Sequence, residues 1–143
     1  STEVPQTSAT TFTVRFTDGY FATRNEVREA LGTSAVTLVD TRSWQEYRGW
    51  RRYAARGGHI PGAVHLEWRR TLQHHGTLLP PEALKTMLRQ AGVPSDKAVI
   101  TYCQTGVQAA HLAFVLTLLG YPHVTVYDGS WTEWGNDPHS PVE

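Results

Sequence analysis

The chain holds one cysteine, Cys103, and one methionine in 143 residues. A lone thiol closes no internal disulfide and builds no cysteine-rich zinc site. Net charge is absent too. Thirteen Lys and Arg are matched by thirteen Asp and Glu, so no overall field draws the chain to nucleic acid or to a membrane, and neither partner is expected. No apolar run approaches the roughly 20 residues that span a bilayer. No signal-peptide pattern is visible; the compartment is not fixed, with a cytoplasmic setting favoured over a periplasmic one. Seven histidines include the adjacent His74 and His75, but no spacing resembles a zinc set, and no metal or other cofactor is expected.

What is present suits one globular domain. Hydrophobic residues make up 40 % and charged residues 18 %, enough apolar material for a core and too little charge for a disordered chain. The charge is unevenly spread. Between positions 41 and 70, Arg42, Arg48, Arg51, Arg52, Arg56, Arg69 and Arg70 face only Glu46 and Glu67. This reads either as a solvated basic face or as a rim that attracts an anionic substrate.

Punctuation divides the chain into short elements. Residues 1–11 are rich in Ser, Thr and Pro and read as a flexible tail or linker, with one domain over 12–143. "FTVRF" (12–16) has the alternation of a strand. Thr23 with Glu26, and Ser43 with Glu46, are spaced as capping boxes opening two helices. "AVTLVD", "AVITY" and "HVTVYD" are β-rich runs, and "GGHIPGAVHLEW" is a tight turn entering a brief strand. "PPEALKTMLRQAG" is an amphipathic helix with proline in its first turn. "VQAAHLAFVLTLLG" is apolar almost all round, which predicts a largely buried helix. Strands alternating with helices predict an α/β domain with a mainly parallel sheet.

Cys103 stands where the strand "AVITY" hands over to that helix. In open α/β sheets, ligands bind beyond the carboxyl ends of the strands. The loop "CQTGVQ" can curl so that successive N–H groups converge, with Gly106 supplying the conformational freedom. Converging amides at a helix start form an anion site, which favours a thiolate and activates it as a nucleophile. The competing reading is a small buried thiol that serves packing. Asp40 ends a neighbouring strand and reads as a brace for the loop or for Arg42, His59 as a turn residue, and Asp128, Ser130, Trp131 and Trp134 as a packed segment beneath the loop. His111 lies eight positions beyond Cys103, too far along the helix for a general base.

Four stretches together resemble the rhodanese-type sulfurtransferases: "LVDTRSWQEYRG", "GGHIPGAVHLEW", "YCQTGVQAA" and "YDGSWTEWGNDPHSPVE". The resemblance spans roughly residues 20–143 and implies a three-layer domain with a central five-stranded sheet. It implies a catalytic Cys103 that takes a sulfane sulfur from a small anionic donor, thiosulfate or 3-mercaptopyruvate, and passes it from a persulfide to a thiophilic acceptor such as cyanide or a thiol. Gln104, Thr105, Gly106, Val107 and Gln108 would contact the donor, Arg52 and Arg56 would border the mouth, and Asp40, Arg42 and His59 would support them. The last stretch is most like the catalytic half of tandem members, which implies an inactive N-terminal rhodanese-like half as partner; a natural single-domain protein is the alternative.

Within the resemblance the loop departs from two substrate patterns. Thiosulfate-preferring members often carry basic residues directly after the cysteine, where this chain has Gln104 and Thr105. Mercaptopyruvate-preferring members often read Cys-Gly-Ser-Gly-Val. Many members carry arginine where this chain has Glu46. Tandem thiosulfate enzymes with a "CQT" loop tip the expectation to thiosulfate. Phosphatases of the same fold close a longer loop with an arginine that clamps phosphate; Ala109 stands there, so that reading is weak. A binding-only module, regulatory or sulfur-carrying, remains the alternative from a different class.

Overall fold

The structure, a computed structural model, describes residues 9–15 and 19–143. Five strands form one sheet: β1 (Phe21–Ala22), β2 (Val36–Asp40), β3 (Val64–His65), β4 (Ala98–Tyr102) and β5 (Val124–Tyr127). Their order is β1-β5-β4-β2-β3, and every pair is parallel. All five carboxyl ends therefore lie along one edge. The chain runs from β2 outward to β3 and then returns to the other side of β2 as β4, so the switch point falls between β2 and β4, where Asp40 pairs with Tyr102. Crevices at such a point are where open α/β sheets hold ligands.

The helices are α1 (Arg24–Ala30), α2 (Trp44–Tyr47), α3 (Pro81–Gln90), α4 (Val107–Leu118) and α5 (Ser130–Trp134), with a short 3-10 helix over Trp68–Thr71. Both expected capping boxes form. Thr23 and Ser43 accept from the amides of Glu26 and Glu46, whose carboxylates accept from the caps in return. Alternation along the strands sends neighbours to opposite faces. Leu38, Ile100 and Tyr102 join α1 and α5 residues in one core layer. Val39 and Val99 join Leu84 and Leu88 of α3 and Leu112 and Leu116 of α4 in the other. The three-layer α/β arrangement is thus present, with an all-parallel five-stranded sheet.

Three local expectations need correction. Residues 12–15 form no strand: Phe12 and Val14 are exposed, so the alternation has no apolar face to bury. Phe16 lies outside the described residues, as do positions 1–8 of the expected tail. The first strand is Phe21–Ala22, held by the amide of Val126 donating to the Tyr20 carbonyl. Finally, α4 is only half buried. Ala109, Leu112, Val115 and Leu116 face the core, while Val107, Phe114 and Leu118 are exposed, because one side of the helix meets the sheet and no element among the described residues covers the other.

Candidate active site

Cys103 is the first residue beyond β4, and its residue surface is 1 % exposed. Its carbonyl accepts from the Trp131 amide (2.9 Å), and the Gln104 carbonyl accepts from the Thr132 amide (3.1 Å) and the Thr132 hydroxyl (2.7 Å). Two successive carbonyls are therefore turned down onto α5. The main-chain N–H groups of residues 104–108 meet no acceptor among the described residues. Gly106 makes the curl possible. Its φ is +87°, and a Cβ there would lie 2.6 Å from Asp128 Oδ1. Val107 then opens α4, twelve residues long, which adds the positive end of its helix dipole to the free amides.

Ser130 is the residue that sequence reasoning placed only as packing. Its hydroxyl accepts from the Cys103 amide (3.2 Å) and donates to the Tyr127 carbonyl (2.8 Å). It does so at φ 49°, the one described non-glycine residue in the left-handed region, a conformation that costs on the order of 1 kcal/mol. The "YDGS" turn residues gave a signal for a tight turn, but nothing local pointed the hydroxyl at Cys103.

Beneath the loop lies a buried charge pair. Asp40 and Arg42 are fully buried, and Arg42 Nε donates to both Asp40 oxygens at 3.0 Å. Burial opposes the Arg42 charge, but the hydrogen bonds and charge of Asp40 outweigh it and hold the guanidinium above its ordinary value. Arg42 also donates to the Gly58 carbonyl (2.7 Å) and lies 4.4 Å from the ring centroid of Trp131. Trp131 is the residue whose amide holds the Cys103 carbonyl. Asp40, Arg42 and Trp131 thus form a continuous support from β2 to the cysteine loop. Burial raises the Tyr102 phenol well above its ordinary value, and its oxygen accepts from the Ile60 amide at 3.0 Å.

The other expected residues divide. Gln104 turns its side chain sideways, its amide nitrogen 3.4 Å from the Tyr53 carbonyl and 3.2 Å from the Thr132 hydroxyl. Thr105 and Val107 are exposed, and Gln108 keeps a buried amide oxygen without a partner among the described residues. Arg56 is drawn away from the mouth: its guanidinium donates to the carbonyls of Trp134 (2.9 Å), Ser140 (2.6 Å) and Asp137. Arg52 is exposed in a depression shared with Arg48, Trp50, Gly58 and Glu143, which residues 103–108 do not line. His59 stacks on Tyr47 with ring centroids 3.7 Å apart and shares a hydrogen bond with the Tyr47 carbonyl (3.1 Å), so it braces the turn. His111 Nε2 meets the Thr71 hydroxyl at 2.7 Å. No group of three or more potential metal ligands occurs among the described residues.

Residues 23–137 match the family of the rhodanese-like domain. A thiosulfate sulfurtransferase of Azotobacter vinelandii is 38 % identical over 100 % of this chain and 53 % of its own length. The sulfur carrier protein TtuD of Thermus thermophilus is 40 % identical over 95 % of this chain and 52 % of its own. Among solved structures, an anaerobic ergothioneine biosynthesis enzyme from Chlorobium limicola in complex with trimethyl histidine superposes with a TM-score of 0.82 at 32 % identity, covering 88 % of this chain and 32 % of that one. A variant of EanB in a tetrahedral intermediate state, with a cysteine persulfide and ergothioneine, gives a TM-score of 0.88 at 30 % identity over 98 % of this chain and 36 % of that one. The chain spans about half the length of the curated relatives it matches.

Proposed function

Because the chain belongs to the rhodanese-like domain family, we propose that it is a sulfurtransferase that carries a sulfane sulfur on Cys103, with thiosulfate as its donor. One observation supports this above others: Cys103 opens a loop whose first carbonyls are tied to α5, while the amides of residues 104–108 meet no acceptor among the described residues. Such a bowl stabilises an anion on sulfur before and after transfer.

In the first half-reaction the Cys103 thiolate attacks the outer sulfur of thiosulfate. A new S–S bond forms to Sγ, the donor's S–S bond breaks, and sulfite leaves with the electron pair. In the second, cyanide or a thiolate attacks the outer sulfur of the persulfide and Cys103 departs as thiolate. No second cysteine and no redox partner is required, which suits a chain with one thiol. Gln104, Thr105, Gly106, Val107 and Gln108 contribute the bowl, Asp40 and Arg42 hold it from below, and Arg52, in the neighbouring depression, attracts the anionic donor at longer range. Ala109, fully buried, gives a phosphate no bidentate clamp, which argues against phosphoryl chemistry.

Intact mass after incubation with thiosulfate tests the reading. A gain of one sulfur, reversed by cyanide with formation of thiocyanate and absent in Cys103→Ala, is the expected result. The same assay with 3-mercaptopyruvate ranks the donors. The TtuD relative supports a second reading, in which the domain is loaded once and serves as a carrier; loading without repeated turnover would select it. No gain from either donor would overturn sulfur transfer. If an inactive N-terminal half accompanies this domain in a longer protein, adding that half should raise turnover without changing the site of the added sulfur.

A further inference from the structure

We propose that residues 48–58 form a docking platform for an acidic partner protein that receives the sulfur from Cys103. The inference rests on the sulfur-transfer reading and adds the class of acceptor to it.

The segment "RGWRRYAARGG" closes on itself. A Cβ on Gly49 would lie 2.7 Å from the Gly58 nitrogen, and one on Gly57 would lie 2.8 Å from the Gly49 carbonyl. Its ends therefore touch, as in a compact Ω-loop. The loop is also pinned: the Arg51 amide donates to the Gln45 carbonyl (3.0 Å), the Ala55 amide to Asn136 Oδ1 (2.8 Å), and Arg56 to the C-terminal segment. Its outer surface is nevertheless apolar and cationic. Trp50 is 70 % exposed and Tyr53 61 % exposed. Arg48, Arg51 and Arg52 are exposed, and none enters a salt bridge among the described residues. Of the neighbouring acids, Glu46 caps α2, and Glu143, which lines the same depression as Arg48, Trp50 and Arg52, accepts from the Gly62 amide at 3.2 Å.

Trp, Tyr and Arg are the side chains that dominate interface hot spots. A rigid platform displaying all three, with three exposed arginines against the one acid Glu143 in its depression, favours a negatively charged partner. The platform is also coupled to the nucleophile, because the Tyr53 carbonyl lies 3.4 Å from the side-chain nitrogen of Gln104, the residue after Cys103. Since Cys103 is 1 % exposed, the partner has to deliver its thiol on a flexible end that reaches into the bowl. There the partner thiolate attacks the outer persulfide sulfur. The new S–S bond leaves the partner persulfidated, Cys103 departs as thiolate, and the partner's thiol proton goes to solvent.

The test uses the persulfide-loaded protein and two synthetic peptides ending in cysteine, one rich in Glu and Asp and one neutral, with dithiothreitol as a small acceptor. Transfer is read by intact mass. The acidic peptide should be the better acceptor by about tenfold at low salt, with the advantage fading as ionic strength rises. Arg48→Glu with Arg51→Glu, and separately Trp50→Ala, should abolish that preference while the dithiothreitol rate stays within about twofold, since these side chains lie outside the bowl. Anisotropy of a labelled, cysteine-free acidic peptide reads docking even where no sulfur moves, so failure of the platform and failure of sulfur transfer are distinguishable. Equal rates for the two peptides, an unaffected double variant, tighter binding of a labelled oligouridine, or self-association abolished by Trp50→Ala would each overturn the proposal.

Discussion

At the scale of single residues, Arg42 carries the most consequence for its size. It is a buried cation whose partner, Asp40, is equally buried, and it touches Trp131, which holds the Cys103 carbonyl. Removing one member of such a pair strands the other charge and costs about 3–5 kcal/mol. Arg42→Met should therefore lower the thermal unfolding midpoint by roughly 10 °C or more, measured by calorimetry; a shift of only a degree or two would show that Asp40 finds other solvation. That Asp40 ends a strand was legible in the sequence, and the structure pairs it with Arg42. The fate of Arg56 was not. From sequence it is another arginine beside a glycine turn, and only the folded chain brings the carbonyls of residues 134–140 to its guanidinium.

At the scale of elements, local signals were reliable where they are self-contained. The capping boxes at Thr23 and Ser43 formed because cap and acid are three residues apart and need no other partner. Hydrophobic periodicity was less reliable in α4. Apolar composition on every side said nothing about which side the sheet would cover, and Phe114 and Leu118 are left outside. The two faces should respond differently to substitution. Leu112→Ala, in the layer with α3, is expected to cost about 2–5 kcal/mol, whereas Phe114→Gln should stay within about 0.5 kcal/mol, both read from denaturant midpoints at constant slope. Equal losses would mean that another surface covers the outer face of α4. The absent strand at 12–15 teaches the same lesson: alternation describes a face, and the face still has to meet something.

At the scale of the whole molecule, two imidazoles link stability to pH. Burial holds both His59 and His111 below the ordinary histidine value, with the Tyr47 carbonyl partly offsetting this for His59. A folded-state value below the unfolded one means that the unfolded chain binds more protons as the medium acidifies. The stability contributed by keeping both rings neutral is complete above about pH 6.5 and is lost as pH falls through their lowered folded values. Unfolding midpoints should decline below about pH 6.5, and the decline should be shallower in a His59→Gln, His111→Gln double variant. An identical pH profile for the double variant would remove these rings from the account.

The amino-acid sequence by itself determined the alternation of strands and helices, their caps, and the placing of one thiol at a strand end before a glycine-containing loop. Those features depend on neighbours a few residues apart, so short-range chemistry suffices to specify them. Tertiary structure alone decided that the carbonyls of Cys103 and Gln104 turn onto α5 and leave the following amides without an acceptor among the described residues. It also decided that Ser130 meets the Cys103 amide, that Arg56 serves the C-terminal segment, and that residues 49–58 close beside the cysteine loop. Each of these joins groups far apart along the chain, and hydrogen-bond partners of that kind exist only once packing of the sheet and its helices has brought them within reach.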